Sequence, residues 1–244
     1  MARFFVESGM IKDNYIILDK ESDYRHMTKV LRLKEGDKVQ ISDGEKWEYE
    51  TEIQSLGDGF AKLRIMDKQA FAREPEIKVS LFQGVPKGSK MELIIQKCVE
   101  EGIYEIVPVF MKRSVVLDTG KFNKKIERWQ KIADEAVKQC KRGIIPKIQD
   151  PMDAKELSNI FDRFDLVLMP YENEDGYSIK DALLENQDAK NIAIIIGPEG
   201  GFSDEEAASY IEAGAKSVTL GKTILRTETA GLVALAMTMY QLEL

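Results

Sequence analysis

Two glycine-punctuated segments near the C-terminal end constrain this chain more than any other feature. The first reads Ile196-Gly-Pro-Glu-Gly-Gly-Phe-Ser-Asp-Glu-Glu206 and the second Leu220-Gly-Lys-Thr-Ile-Leu-Arg-Thr-Glu-Thr-Ala-Gly231. The run before the first, Asn191 to Ile196, is short, apolar and rich in β-branched residues, which reads as a buried strand. Gly197 to Gly201 break it, and Ser203 with Glu206 is a capping-box signature, so a helix begins there. Glycines beside a helix start let backbone approach a ligand closely, with unpaired N–H groups facing it. The two segments therefore read as ligand-holding loops, each ending a strand and opening a helix.

Neither loop is a common nucleotide motif. Gly197-Pro-Glu-Gly-Gly-Phe202 does not supply the G-x-G-x-x-G of a dinucleotide fold. Gly221-Lys-Thr223 resembles the end of a phosphate loop, but the position where that motif needs its first glycine is Lys216, and Gly214 is out of register. ATP or GTP hydrolysis is thereby disfavoured.

With 244 residues, 43% of them apolar, the chain can bury one large or two small cores. Its apolar runs fall far short of the ~20 residues that span a membrane. The start, Met1 to Glu7, lacks the apolar core of a secretion signal, so a cytoplasmic location and no membrane partner are expected. A net charge of −7 argues against indiscriminate coating of nucleic acid but leaves room for a local basic face. Cys98 and Cys140 fall on the apolar stripes of predicted helices, where core packing is the simple role. With His26 the only histidine, no metal site and no histidine-based triad is expected.

The first ~70 residues read as mostly β. Arg3 to Val6, Tyr15 to Leu18, Lys38 to Ser42, Trp47 to Ile53 and Phe60 to Ile65 are strand candidates, with turn signals at Asp43-Gly44 and Gly57-Asp-Gly59. One helical patch, Tyr24 to Leu33, interrupts a series that suggests a small barrel. Pro75 punctuates a charged stretch, and beyond it strands and helices alternate. Strands are expected at Val79 to Gln83, Ile103 to Phe110, Leu166 to Met169, Ile192 to Ile196 and Ser217 to Leu220. Helices are expected at Ser89 to Glu101, with a Ser89/Glu92 capping box, and at Lys121 to Cys140, Asp204 to Ala213 and Glu228 to Leu242. Such alternation means an α/β domain with a largely parallel sheet.

At this point the residues resemble a known family. Its carriers are Arg3-Phe-Phe-Val6, His26-Met-Thr-Lys-Val-Leu-Arg32, Gly84 to Glu101, Glu135 to Arg142 with Pro146, and the two C-terminal loops in that order. Over essentially its whole length the chain is similar to the RsmE family of SPOUT-class methyltransferases, which methylate N3 of a uridine in 16S ribosomal RNA. It departs from the family pattern at Lys138, where an acidic residue is expected.

The resemblance implies an α/β fold with a C-terminal SPOUT trefoil-knotted parallel-sheet domain (73–244) and a small N-terminal PUA-like β-barrel domain (1–72). It implies S-adenosylmethionine as cofactor, 16S rRNA in the small ribosomal subunit as partner, and a homodimer. Carried onto this sequence, the cofactor pocket comprises Leu168, Pro170, Gly197, Pro198, Glu199, Gly200, Gly201, Leu220, Gly221, Ile224 and Leu225. Arg226 is the expected catalytic residue: a guanidinium there would stabilise negative charge on a uracil oxygen as N3 is deprotonated. A salt bridge to Glu228 or Glu199 is its plain structural alternative. Glu199 would serve as a base only with a raised pKa. RNA contacts are expected from Arg3, Arg25, Arg32, Gln139 and Arg142, mainly to phosphates. His26 could stack on a base, but a local hydrogen bond is the expected role. Another RNA target for the same fold, and a non-catalytic RNA-binding role, stay open.

Overall fold

The computed structural model describes residues 1–71, 74–116 and 122–244. The chain forms two compact units. One comprises Met1–Glu74 with Lys141–Ile145, the other Pro75–Cys140 with Pro146–Leu244.

The first unit is a five-stranded sheet of β1 (Arg3–Phe5), β2 (Tyr15–Leu18), β3 (Lys38–Ser42), β4 (Trp47–Leu56) and β5 (Ala61–Ala70), in the order β1-β3-β4-β5-β2. All neighbours are antiparallel except β1 and β3. Register shifts at Glu50/Thr51 and Ile53/Ser55 bend the long β4–β5 ribbon, which lets the sheet curl over Phe4, Ile16, Leu18, Met27, Ile41, Ile53 and Leu63. Alternate residues of these strands point into that core. The helical patch is α1 (Glu21–Arg25), continued by a π-helical turn, His26–Val30. His26 packs edge-on against Phe4, with ring centroids 6.1 Å apart, and makes no side-chain hydrogen bond among the described residues, where one was expected.

Lys141–Ile145 is held in this unit by two buried ion pairs. Arg142 Nη2 lies 2.8 Å from Glu74, whose Oε1 also accepts from the amides of Gly143 (2.6 Å) and Ile144 (3.0 Å). Arg3 pairs with Glu48 and donates to the carbonyls of Lys141 (2.9 Å) and Arg142 (2.8 Å).

The second unit is a parallel sheet with helices. Its strands are β6 (Lys78–Gly84), β7 (Glu105–Phe110), the short β8 (Lys147–Ile148) and β9 (Met152–Asp153), β10 (Leu166–Pro170), β11 (Asn191–Ile196) and β12 (Lys216–Val218). The order is β12-β10-β11-β6-β7-β8, with β9 also paired to β7. The central strands are buried on both faces, as continuous apolar runs such as Ile192 to Ile196 require. The helices are α2 (Lys90–Glu100), α3 (Asn123–Cys140), α4 (Ala154–Leu157), α5 (Ile179–Glu185), α6 (Asp204–Glu212) and α7 (Thr227–Leu242). The Ser203/Glu206 capping box forms as expected, and Ser178/Asp181 makes a second one. The Ser89/Glu92 box does not form: Ser89 lacks the extended backbone of a capping residue (φ −95°, ψ 8°), its carbonyl takes the Glu92 amide at 3.0 Å, and the Glu92 side chain pairs with Arg128 at 2.8 Å. After β12, at one edge of the sheet, the chain returns to its middle, where α7 packs on β11, β6 and α2. Among the described residues no helix is long and apolar enough to cross a membrane, and no group of three or more His, Cys, Asp or Glu residues could hold a metal ion.

Candidate functional site

A cleft of about 800 Å³ opens in the second unit, lined by residues that follow the carboxyl ends of β10, β11 and β12. In parallel α/β sheets, ligands bind at that end of the strands. Its walls are the two glycine loops, 197–202 and 219–228, together with Pro170, Tyr171, Glu172 and Lys90.

The loops are locked together at their bases. Thr227, the first residue of α7, donates from Oγ1 to the carbonyl of Gly197 (2.6 Å) and accepts from Gln83 Nε2 (2.9 Å). All three residues are buried. Gly84, at the end of β6, has no room for a side chain, since a Cβ there would stand 2.6 Å from the backbone nitrogen of Pro198. Gly201 adopts φ +67°, and a Cβ on it would run into the Glu172 carboxylate. Glycine at these two positions is therefore a condition of the loop's path. The far end of the first loop is fixed by the Ser203 cap and by Glu206 accepting from Lys112 N (2.7 Å).

Lys90 organises the charge. Its ammonium lies 3.0 Å from Glu199 and 3.3 Å from Glu228. The hydrogen bond to Glu199 raises the Lys90 pKa, with Glu228 adding to it against some desolvation. For Glu199, burial pushes the carboxyl up, but the hydrogen bonds from Lys90 and from backbone amides outweigh that and hold it below the usual carboxylate range. Glu199 therefore lacks the raised pKa that a general base needs.

Both acids expected to compete for Arg226 are thus held by Lys90. Arg226 caps α7 through its backbone, its carbonyl accepting from Thr229 and Ala230, while its side chain is exposed and makes no ion pair among the described residues.

An RNA methyltransferase domain model matches residues 73–239, and an RNA methyltransferase PUA domain model matches residues 18–66. Ribosomal RNA small subunit methyltransferase E of Bacillus subtilis (strain 168) is 34% identical over 100% of this chain and 98% of its own length. The chain belongs to the RsmE family. Among solved structures, the family member from Neisseria gonorrhoeae bound to S-adenosyl methionine superposes with a TM-score of 0.86 at 27% identity, covering 98% of this chain and 97% of that one. A methyltransferase from Legionella pneumophila with bound SAM gives 0.82 at 28% identity and the same coverage.

Of the residues that the RsmE resemblance assigns to the cofactor, Pro170, Gly197 to Gly201, Leu220, Gly221, Ile224 and Leu225 line the cleft. Leu168 does not; it is fully buried inside β10. Arg226 stands in the same cleft. Of the expected RNA contacts, Arg25, Arg32 and Gln139 are exposed. The Arg3 and Arg142 side chains are only 7% and 6% exposed and are bound to Glu48 and Glu74. Burying a guanidinium is tolerable only in such pairs, and these two hold Lys141–Ile145 in the first unit. Sequence reasoning missed Lys90, Tyr171 and Glu172. The position of the last two, directly after a strand that ends at Pro170, was the available signal.

Proposed function

We propose that this protein transfers a methyl group from S-adenosylmethionine to N3 of a uridine in the 16S rRNA of the small ribosomal subunit. The observation that carries the reading is Arg226, a guanidinium without an ion-pair partner among the described residues, in the cleft formed by the two family loops.

The cleft's own residues fit the cofactor. Leu220, Ile224 and Leu225 offer apolar faces for an adenine, and the glycine loop offers peptide groups for its polar edge. Glu172, exposed and in no hydrogen bond or ion pair among the described residues, offers negative charge to a cationic ligand. When bound, S-adenosylmethionine supplies an electrophilic methyl group on a positively charged sulfur. The protein's part is then to orient the uracil and hold the charge that develops on it. Arg226 would stabilise that charge on a uracil oxygen as N3 gives its proton to solvent water. Positioning of the two reactants accounts for several kcal/mol more of the barrier. Glu199, held ionised by Lys90, keeps the loop in place and is not the base.

We further propose that the enzyme acts as a homodimer on assembled small subunits, with Arg25, Arg32 and Gln139 among its RNA contacts. A sedimentation mass near 27.7 kDa, and not twice that value, would contradict the dimer. The reaction is tested by incubating the protein with labelled S-adenosylmethionine and small subunits lacking the modification. Label is expected in 16S rRNA; an unlabelled RNA would contradict the proposal.

A further inference from the structure

The proposed reaction requires an RNA to be held as well as a methyl donor, and the first unit carries a surface that the cleft does not explain. After α1 the chain winds through the π-helical turn His26–Val30 and then places Arg32 in the left-handed region at φ 54°. π-Turns and left-handed non-glycine residues are both uncommon, and both occur preferentially at functional sites.

The turn is fixed from within. Met27 is fully buried, Thr28 Oγ1 donates to the Tyr24 carbonyl (2.9 Å), and the Tyr24 hydroxyl donates to the Gly57 carbonyl (2.6 Å). Backbone amides of Leu31 and Leu33 close it on His26 and Met27. Outward it presents Val30, 64% exposed, and Leu31, 39% exposed. Arg25, Lys29 and Arg32 surround this pair in sequence; all three are exposed, and none is in an ion pair among the described residues. Of the nearby acids, Asp23 faces Lys20, Asp37 accepts from Lys34 N and Glu35 accepts from Leu56 N, while Glu21, four residues before Arg25 on α1, is exposed and in no ion pair among the described residues. The Tyr24–Gly57 bond also brings in the β4–β5 turn, where Phe60 covers Gly57 and leaves 40% of its own surface exposed.

Three unpaired cations in a chain of net charge −7 suit a phosphate backbone. Cations alone would serve duplex and single strand alike. An exposed aliphatic pair serves only a strand whose base faces are free, because a duplex stacks them on one another.

We infer that the Arg25–Arg32 turn binds an unpaired stretch of RNA, with phosphates on Arg25, Lys29 and Arg32 and a base face on Val30 and Leu31. The inference rests on the proposed RNA methylation and adds to it a preference for single-stranded RNA beside the target.

The test is fluorescence-anisotropy titration of the full-length protein with a short labelled single-stranded RNA and with a hairpin duplex, each over a range of salt. Val30→Ser with Leu31→Ser is expected to weaken single-strand binding about tenfold and to leave the salt dependence and duplex binding unchanged. Arg25→Gln with Lys29→Gln is expected to lower the salt slope by about 0.7 per lost phosphate contact. These side chains are exposed, so melting midpoints should match the wild type; Lys29→Gln alone serves if a double variant does not. Unchanged single-strand affinity in both double variants overturns the inference. Equal loss of duplex and single-strand binding in the apolar variant overturns the base contact. Normal RNA affinity with lost binding to small subunits assigns the patch to a protein partner instead. Methyl transfer by the wild type is scored separately. Transfer with normal RNA binding by both variants sinks the patch alone; no transfer with lost RNA binding in both sinks the reaction and keeps the patch.

Discussion

Thr227 Oγ1 donates a 2.6 Å hydrogen bond to the carbonyl of Gly197, so the start of the last helix is tied to the end of β11. Gln83 Nε2 donates to the same hydroxyl at 2.9 Å. Thr227→Val keeps the shape and removes both bonds, leaving the buried Gly197 carbonyl without this donor and Gln83 Nε2 with the Gly84 carbonyl alone. A loss of about 1–3 kcal/mol in urea unfolding is expected, with Thr227→Ser restoring most of it. An unchanged urea midpoint for Thr227→Val would contradict the role of this latch.

Arg226 has no side-chain ion pair among the described residues to lose. Arg226→Ala is therefore expected to leave the melting midpoint near wild type while cutting methyl transfer about 10²–10³-fold. Titration calorimetry should give a Kd for S-adenosylmethionine close to that of the wild type. Loss of cofactor binding in step with activity would assign Arg226 to the cofactor and not to the uracil.

Glu199 gives a pH signature with a definite sign. Its folded pKa lies below the ordinary 4.5. The stability it contributes is thus present above 4.5 and is lost as pH falls through the lower folded value. Wild type should exceed Glu199→Gln in urea midpoint at neutral pH, and the gap should close in acid below 4.5. Lys90, with its pKa raised above 10.5, keeps its share until pH climbs past that value. A gap that widens in acid would reverse the assignment.

Gly201 combines φ +67° with a side-chain direction blocked by Glu172. Gly201→Ala is expected to cost about 1–2 kcal/mol for the left-handed backbone alone and to weaken S-adenosylmethionine binding by reshaping the loop. Cofactor binding and stability equal to wild type would show that the loop tolerates a Cβ.

Cys98 is fully buried, and burial pushes its thiol up to about 12. It should not react with a thiol reagent in the native protein at pH 8, when a thiol of that pKa carries almost no thiolate. Denaturation should expose both cysteines. Two thiols reacting in the native state would mean that the β6–α2 region opens readily.

What the sequence made legible follows the range of the interactions. Ser203 and Glu206 lie within one helical turn, so their capping box could be read directly. So could most strands, whose apolar runs mark burial. Lys90 could not be singled out, because its partners Glu199 and Glu228 are distant in the chain and meet it only after folding. Arg3 and Arg142 looked like surface cations because nothing local announces Glu48 or Glu74. The same long-range pairing carries Lys141–Ile145 into the first unit. Ser89/Glu92 had the right spacing for a cap, but the Ser89 backbone is not extended and the Glu92 side chain turns to Arg128. A threaded C-terminal path came only from family resemblance, since knots are too rare for physical reasoning to propose one.

The central claim is the identity of the methylated atom. Wild-type protein, labelled S-adenosylmethionine and small subunits lacking the modification are combined, the RNA is digested, and the labelled nucleoside is identified by mass spectrometry. The account predicts labelled 3-methyluridine from 16S rRNA, lost in Arg226→Ala. Label in a ribose-methylated nucleoside or in any other base would contradict it.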